Sequence, residues 1–112
     1  MAHAIEPKTV AYYADQAGHE PFVEWLEKLD RVTHKRVLAR LHRIEKGNYG
    51  DYKHIQDGVH ELRLFFGPGY RIYFGEVGGK IVVLLCGGDK STQDKDIKTA
   101  LAYWKEYNNA ET

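Results

Sequence analysis

Cysteine is nearly absent from these 112 residues, long apolar runs are absent altogether, and there is no net charge. Each lack excludes something. A lone Cys86 rules out an internal disulfide and any metal site built from several thiolates. It lies in the apolar run IVVLLC, which makes it a small buried hydrophobe before a reactive thiol. No apolar stretch is long enough to cross a bilayer, and MAHAIEPKTV has no apolar signal-peptide core. A cytoplasmic protein without membrane attachment is therefore expected. Sixteen bases balance sixteen acids, which at first argues against a nucleic-acid partner.

The charge is unevenly placed, however. Through residue 27 there are five acids and one base, whereas Lys28 to Lys46 holds seven bases (Lys28, Arg31, Lys35, Arg36, Arg40, Arg43, Lys46) and two acids. Local potential matters more to a phosphate than the total does. The same row also suits the wet face of a helix. Hydrophobic content of 43% places the chain among globular proteins, and its length allows one domain, residues 1–112, with a single modest core.

Thr9 to Tyr13 reads as a short first strand. A helix begins near Pro21, where the missing N–H is no loss, with Phe22, Trp25, Leu26 and Leu29 as its apolar stripe. Asp30 can cap a second helix with the stripe Val37, Leu38, Leu41 and Ile44, ended by Gly47. So short a break predicts a helical hairpin. Asn48 to Asp57 reads as a polar connection. Val59–Phe66 and Tyr70–Gly75 form a strand pair, Gly78-Gly79 turns the chain, and Lys80–Cys86 is a strand apolar on both faces. Ser91, with Asp94 three residues on, predicts a capping box for a last helix that buries Ile97, Ala100, Leu101 and Trp104. The expected order is β-α-α-β-β-β-α, an α+β domain whose last three strands make an antiparallel meander.

Folding the strand pair about Pro68 sets Leu64 against Ile72, Leu62 against Phe74 and Arg63 against Tyr73. One face is core, and the other is expected to display Arg63, Arg71 and Tyr73. Gly87-Gly88-Asp89-Lys90-Ser91 opens the last helix, so Lys90 and the amides after Ser91 would form an anion-friendly corner. It is not a P-loop, because Asp89 rather than Gly precedes Lys90. The six histidines at 3, 19, 34, 42, 54 and 60 show no HxH or HExxH spacing, so no metal is expected. There is no GxSxG elbow and no dinucleotide fingerprint.

Glu61-Leu62-Arg63, Gly67-Pro68-Gly69-Tyr70-Arg71 and Gly87-Gly88-Asp89-Lys90-Ser91, with the FVEWLEKL helix upstream, resemble the RelE/ParE superfamily of type II toxin–antitoxin toxins. The resemblance covers about residues 20 to 107 and points to the addiction-module killer subgroup related to HigB. It implies a small antiparallel-type sheet packed against an N-terminal helical hairpin and a C-terminal helix. It further implies a metal-independent, ribosome-dependent mRNA endoribonuclease that inhibits translation, with a non-enzymatic gyrase poison or an inactive antitoxin-binding module as alternatives. Implied partners are a cognate antitoxin with a helix-turn-helix domain, the ribosome and mRNA, and no cofactor is implied. Within that chemistry Arg63 and Arg71 would grip the scissile phosphate. Tyr73 would stack or donate a proton, and either Lys53 or His54 would serve as base. Lys90 and Ser91 would bind substrate phosphate.

Overall fold

Alternating burial at Val59, Glu61 and Leu62, Leu64 marks a strand covered on both sides, and both sides are indeed covered. The computed structural model describes residues 6–110. Its elements are β1 (Thr9–Tyr12), α1 (Pro21–Glu27), α2 (Arg31–Glu45), β2 (Tyr52–Gln56), β3 (Val59–Leu64), β4 (Tyr70–Val77), β5 (Ile81–Gly88), a 3-10 turn at Lys90–Thr92 and α3 (Gln93–Ala110). The strands lie in the order β1-β5-β4-β3-β2. β2 to β5 form an antiparallel meander, and β1 joins β5 in parallel. The molecule is a small α+β fold with a mixed sheet packed against helices.

Two expectations change here. The polar connection contains β2, a strand the order β-α-α-β-β-β-α omits. β2 sits at the sheet edge with its side chains largely exposed, so it lacks the apolar alternation that reveals a half-buried strand. Its signal was the Asp57-Gly58 pair, where both residues take positive φ, 50° and 85°, the requirement of a tight hairpin turn. The sheet is also mixed rather than antiparallel throughout, because β1 runs alongside β5.

α1 and α2 cover one face. Phe22, Leu26, Val37, Leu41 and Ile44 meet Leu62, Leu64, Ile72, Phe74, Val82 and Leu84 there. Asp30 caps α2, accepting from the Thr33 N–H at 3.2 Å. Leu38, expected in the stripe, is 44% exposed because it follows Val37 around the helix and leaves the buried arc. α3 covers the opposite face, setting Ala100 and Trp104 on Tyr13, Val59, Tyr73, Val83, Leu85 and Cys86. Both tryptophans rest on glycines: a Cβ on Gly75 would overlap the Trp104 ring, and one on Gly87 the Trp25 ring. Burial pushes the Cys86 thiol up to about 12, in keeping with a core residue. Among the described residues no helix is long and apolar enough to cross a membrane.

The hairpin turns about Gly67 rather than Pro68. Leu64 pairs with Tyr70, Arg63 with Arg71, Leu62 with Ile72 and Glu61 with Tyr73. Gly67 and Gly69 both adopt positive φ, and the Gly69 N–H closes on the Phe66 carbonyl at 3.2 Å. The shift moves each partner by two positions, so the faces keep their identity. Leu62, Leu64, Ile72 and Phe74 are all buried.

Two bases of the α2 row serve the fold. Arg40 donates from Nε and NH2 to the Tyr49 carbonyl, from NH2 to Asp51 and from NH1 to Arg63, at 2.8–3.0 Å. The guanidinium of Arg36 lies 4.7 Å from the Phe66 ring centroid, a cation–π contact. The others, Lys28, Arg31, Lys35, Arg43 and Lys46, stay exposed.

Candidate anion-binding site

The corrected register makes Arg63 and Arg71 direct neighbours across β3 and β4. Like charges so placed repel unless something between them compensates. Glu61, two residues before Arg63 and on the same face, supplies that charge. It is fully buried, and its Oε1 stands 3.4 Å from Arg63 Nε and 3.7 Å from Arg71 NH1. Its Oε2 accepts from the Tyr73 hydroxyl at 3.0 Å and from Gln93 Nε2 at 2.9 Å. A buried carboxylate without such partners would be severely destabilising.

Both guanidiniums are thus held from beneath. The Nε atoms of Arg63 and Arg71 and Oε1 of Glu61 are buried with no hydrogen-bond partner. The side chains are 31% and 14% exposed, so their accessible edges are the terminal NH groups. Two fixed cations over one fixed anion leave a net positive recess. Arginine forks placed side by side can grip one tetrahedral oxyanion through parallel N–H···O bonds.

The expected residues divide around this recess. Arg63 and Arg71 come together in it, partly buried rather than openly displayed. Tyr73 shares their face but is fully buried, and burial followed by the Glu61 carboxylate raises its pKa far above the ordinary phenol range. It therefore supports Glu61 and does not face a ligand, which corrects its expected exposure. Lys53 pairs with Glu61 in register and His54 with His60, so the two successive β2 residues point to opposite faces. Lys53 borders the recess. His54 lies on the other face, 5.2 Å from His60 between ring centroids. These two are not alternatives for one position.

The helix-opening corner also differs from expectation. Asp89, not Ser91, is the cap: its Oδ1 accepts from the Ser91 N–H at 2.8 Å and the Ser91 hydroxyl at 2.5 Å, and Thr92 completes the box. Those hydrogen bonds hold the Asp89 carboxyl below the usual range. Ser91 is thereby committed to a carboxylate and is a poor phosphate ligand. Lys90 is exposed, and its backbone N–H donates to the Pro68 carbonyl at 3.4 Å, which sets it at the recess end of the hairpin. Sequence reasoning missed Glu61 and Gln93. An acid embedded in the alternating strand VHELRL was the available signal, since a charge on a half-covered face demands partners. Gln93 sits across the helix corner and gave none.

The family model described as "Phage derived protein Gp49-like (DUF891)" matches residues 24–105. A protein of Haemophilus influenzae (strain ATCC 51907 / DSM 11121 / KW20 / Rd), described as an uncharacterized protein, is 52% identical over 80 residues, which is 70% of this chain and 81% of that protein. The family match overturns the RelE/ParE and HigB identification, and with it the toxin, mRNA endoribonuclease, translation-inhibition and gyrase-poison expectations. The motifs behind that identification serve the fold. Gly67 and Gly69 make a turn, Gly87 admits Trp25 and Asp89 caps a helix, so these positions are accounted for by the fold.

Proposed function

This chain belongs to the family of phage-derived Gp49-like proteins, and we propose that its Arg63–Arg71 recess binds a phosphate-bearing ligand. The observation that supports this reading is one buried carboxylate anchoring two directly opposed guanidiniums that remain 31% and 14% exposed. A purely structural ion pair needs one arginine. The second adds repulsion within the fold and a fork for an external anion. Lys53 and Lys90 add charge at the margins, and Glu61, Tyr73 and Gln93 act by positioning. The proposed role is binding.

Calorimetric titration with inorganic pyrophosphate tests the reading. Arg71→Ala should weaken binding at least tenfold, as expected for losing a charge-assisted hydrogen bond of ~2 kcal/mol. Arg63→Ala should behave alike, and the double variant should lose less than the sum if both residues grip one group. Circular dichroism should show the fold retained. Wild-type affinity in both single variants would sink the assignment.

A further inference from the structure

The two outer strands of the sheet are protected unequally. β2 carries the edge devices that discourage pairing: Lys53 in its middle and a bulge between His54 and Gln56. β1, TVAY, has no charge, no proline and no bulge. Its inner hydrogen bonds alternate, with Thr9 donating to the Lys80 carbonyl at 2.9 Å and Tyr13 to Leu84 at 3.0 Å. The N–H and C=O groups of Val10 and Tyr12 therefore point outward along an edge that is unpaired among the described residues.

Beside that edge lies a groove of about 530 Å³ between β1 and α2, lined by Val10, Tyr12, Leu38 and Ala39 with Lys35 and a His42–Glu45 pair 3.5 Å apart. Two of its apolar residues are open: Tyr12 is 41% exposed and Leu38 44%. Lys35 lines the groove and Arg31 lies one turn before it on α2, both exposed and with no acidic partner among the described residues. The side chains of Val10 and Tyr12 share the α2 face, as their partners Val82 and Leu84 do. A strand added to β1 would thus lay every second side chain into this groove.

We propose that the free edge of β1, with the basic outer face of α2, is the docking site for an extended acidic segment of a partner protein, added as a sixth strand. Alternate apolar residues would cover Tyr12 and Leu38, and acidic residues would meet Arg31 and Lys35. Charge decides against a second copy of this chain. Two β1 edges paired about a twofold would bring two Arg31–Lys35 rows together on one face, with Glu45 as the acid each groove supplies. An acidic strand meets the same cations with attraction and uses the backbone edge for affinity.

The test uses a synthetic peptide of about ten residues alternating glutamate with valine, and an analogue with lysine for glutamate. The acidic peptide should bind, the lysine analogue at least tenfold more weakly, and amide exchange should slow at Val10 and Tyr12. Tyr12→Pro removes one outward N–H while sparing the ladder to β5 and should cost at least tenfold. Arg31→Glu with Lys35→Glu should reverse the peptide preference without touching the strand, so the idea stays testable if the proline variant fails to fold. Equal binding of the two peptides, protection appearing at β2 instead of β1, or a dimer joined through β1 in sedimentation would overturn it. None of these readouts depends on Arg63 or Arg71.

Discussion

The two faces of the sheet solve the same burial problem with unequal means. Two helices close the α1/α2 face over twelve buried residues, every one apolar or aromatic. A single helix closes the other over eight. A helix is about 10 Å wide and strands repeat every ~4.8 Å, so α3 alone spans two or three of five strands. At the start of α3 the inward positions turn polar: Glu61, which accepts from Gln93, with Arg63 and Arg71 beside it. The candidate site lies on β3 and β4 beside the start of α3, at one end of the face that this helix closes.

Truncation at the centre of each face should give the largest effects. Phe22→Ala and Trp104→Ala should each cost roughly 3–5 kcal/mol in denaturant unfolding. A Trp104 variant with an unchanged midpoint would break the comparison by showing that α3 is peripheral. Next comes Glu61→Gln, expected to cost about 2–3 kcal/mol because Arg63 and Arg71 would oppose each other uncompensated. Adding Arg63→Gln should recover part of that stability without restoring anion binding. No recovery would mean that repulsion between the arginines is not what Glu61 relieves.

A smaller effect should come from His60 on the α1/α2 face. Its ring stacks on Phe74 at 5.1 Å and 20°, with Tyr52 and His54 facing it from β2 and Glu76 from β4. Burial lowers its pKa, Glu76 opposes that shift and His54 adds to it. The unfolded chain therefore takes up the proton first. The stabilisation is complete above the ordinary histidine pKa near ~6.5 and is lost as pH falls below it. The denaturant midpoint should drop from pH 7.5 to 5.5, and His60→Phe should flatten that dependence. An equal slope in the variant would assign the titration elsewhere.

The helices, the meander and the buried alternation of β3 and β4 were legible because their burial is periodic. Proline at the start of α1 and Asp30 before α2 fixed boundaries that the structure keeps. β2 was illegible because an edge strand buries little, and the turn centre was misplaced because Gly67 and Gly69 share the bend around Pro68. Arg63 and Arg71 could be put on one face by parity alone. That they are direct partners, that Lys53 and His54 part company, and that Asp89 claims Ser91 all depend on register and hydrogen bonding. The roof over Tyr73 depends on where α3 crosses, which local pattern does not encode.

The parallel pairing of β1 with β5 has a kinetic consequence. Thr9 and Ile81 are neighbours in space but 72 positions apart in the chain. During synthesis β1 emerges first of the described strands and its partner β5 last, so the strand must wait while the intervening elements form. Closing so long a loop is entropically slow, which places β1 docking late in folding and leaves the edge of β5 open beforehand. In stopped-flow experiments Ala11→Gly should speed unfolding while leaving the refolding rate nearly unchanged.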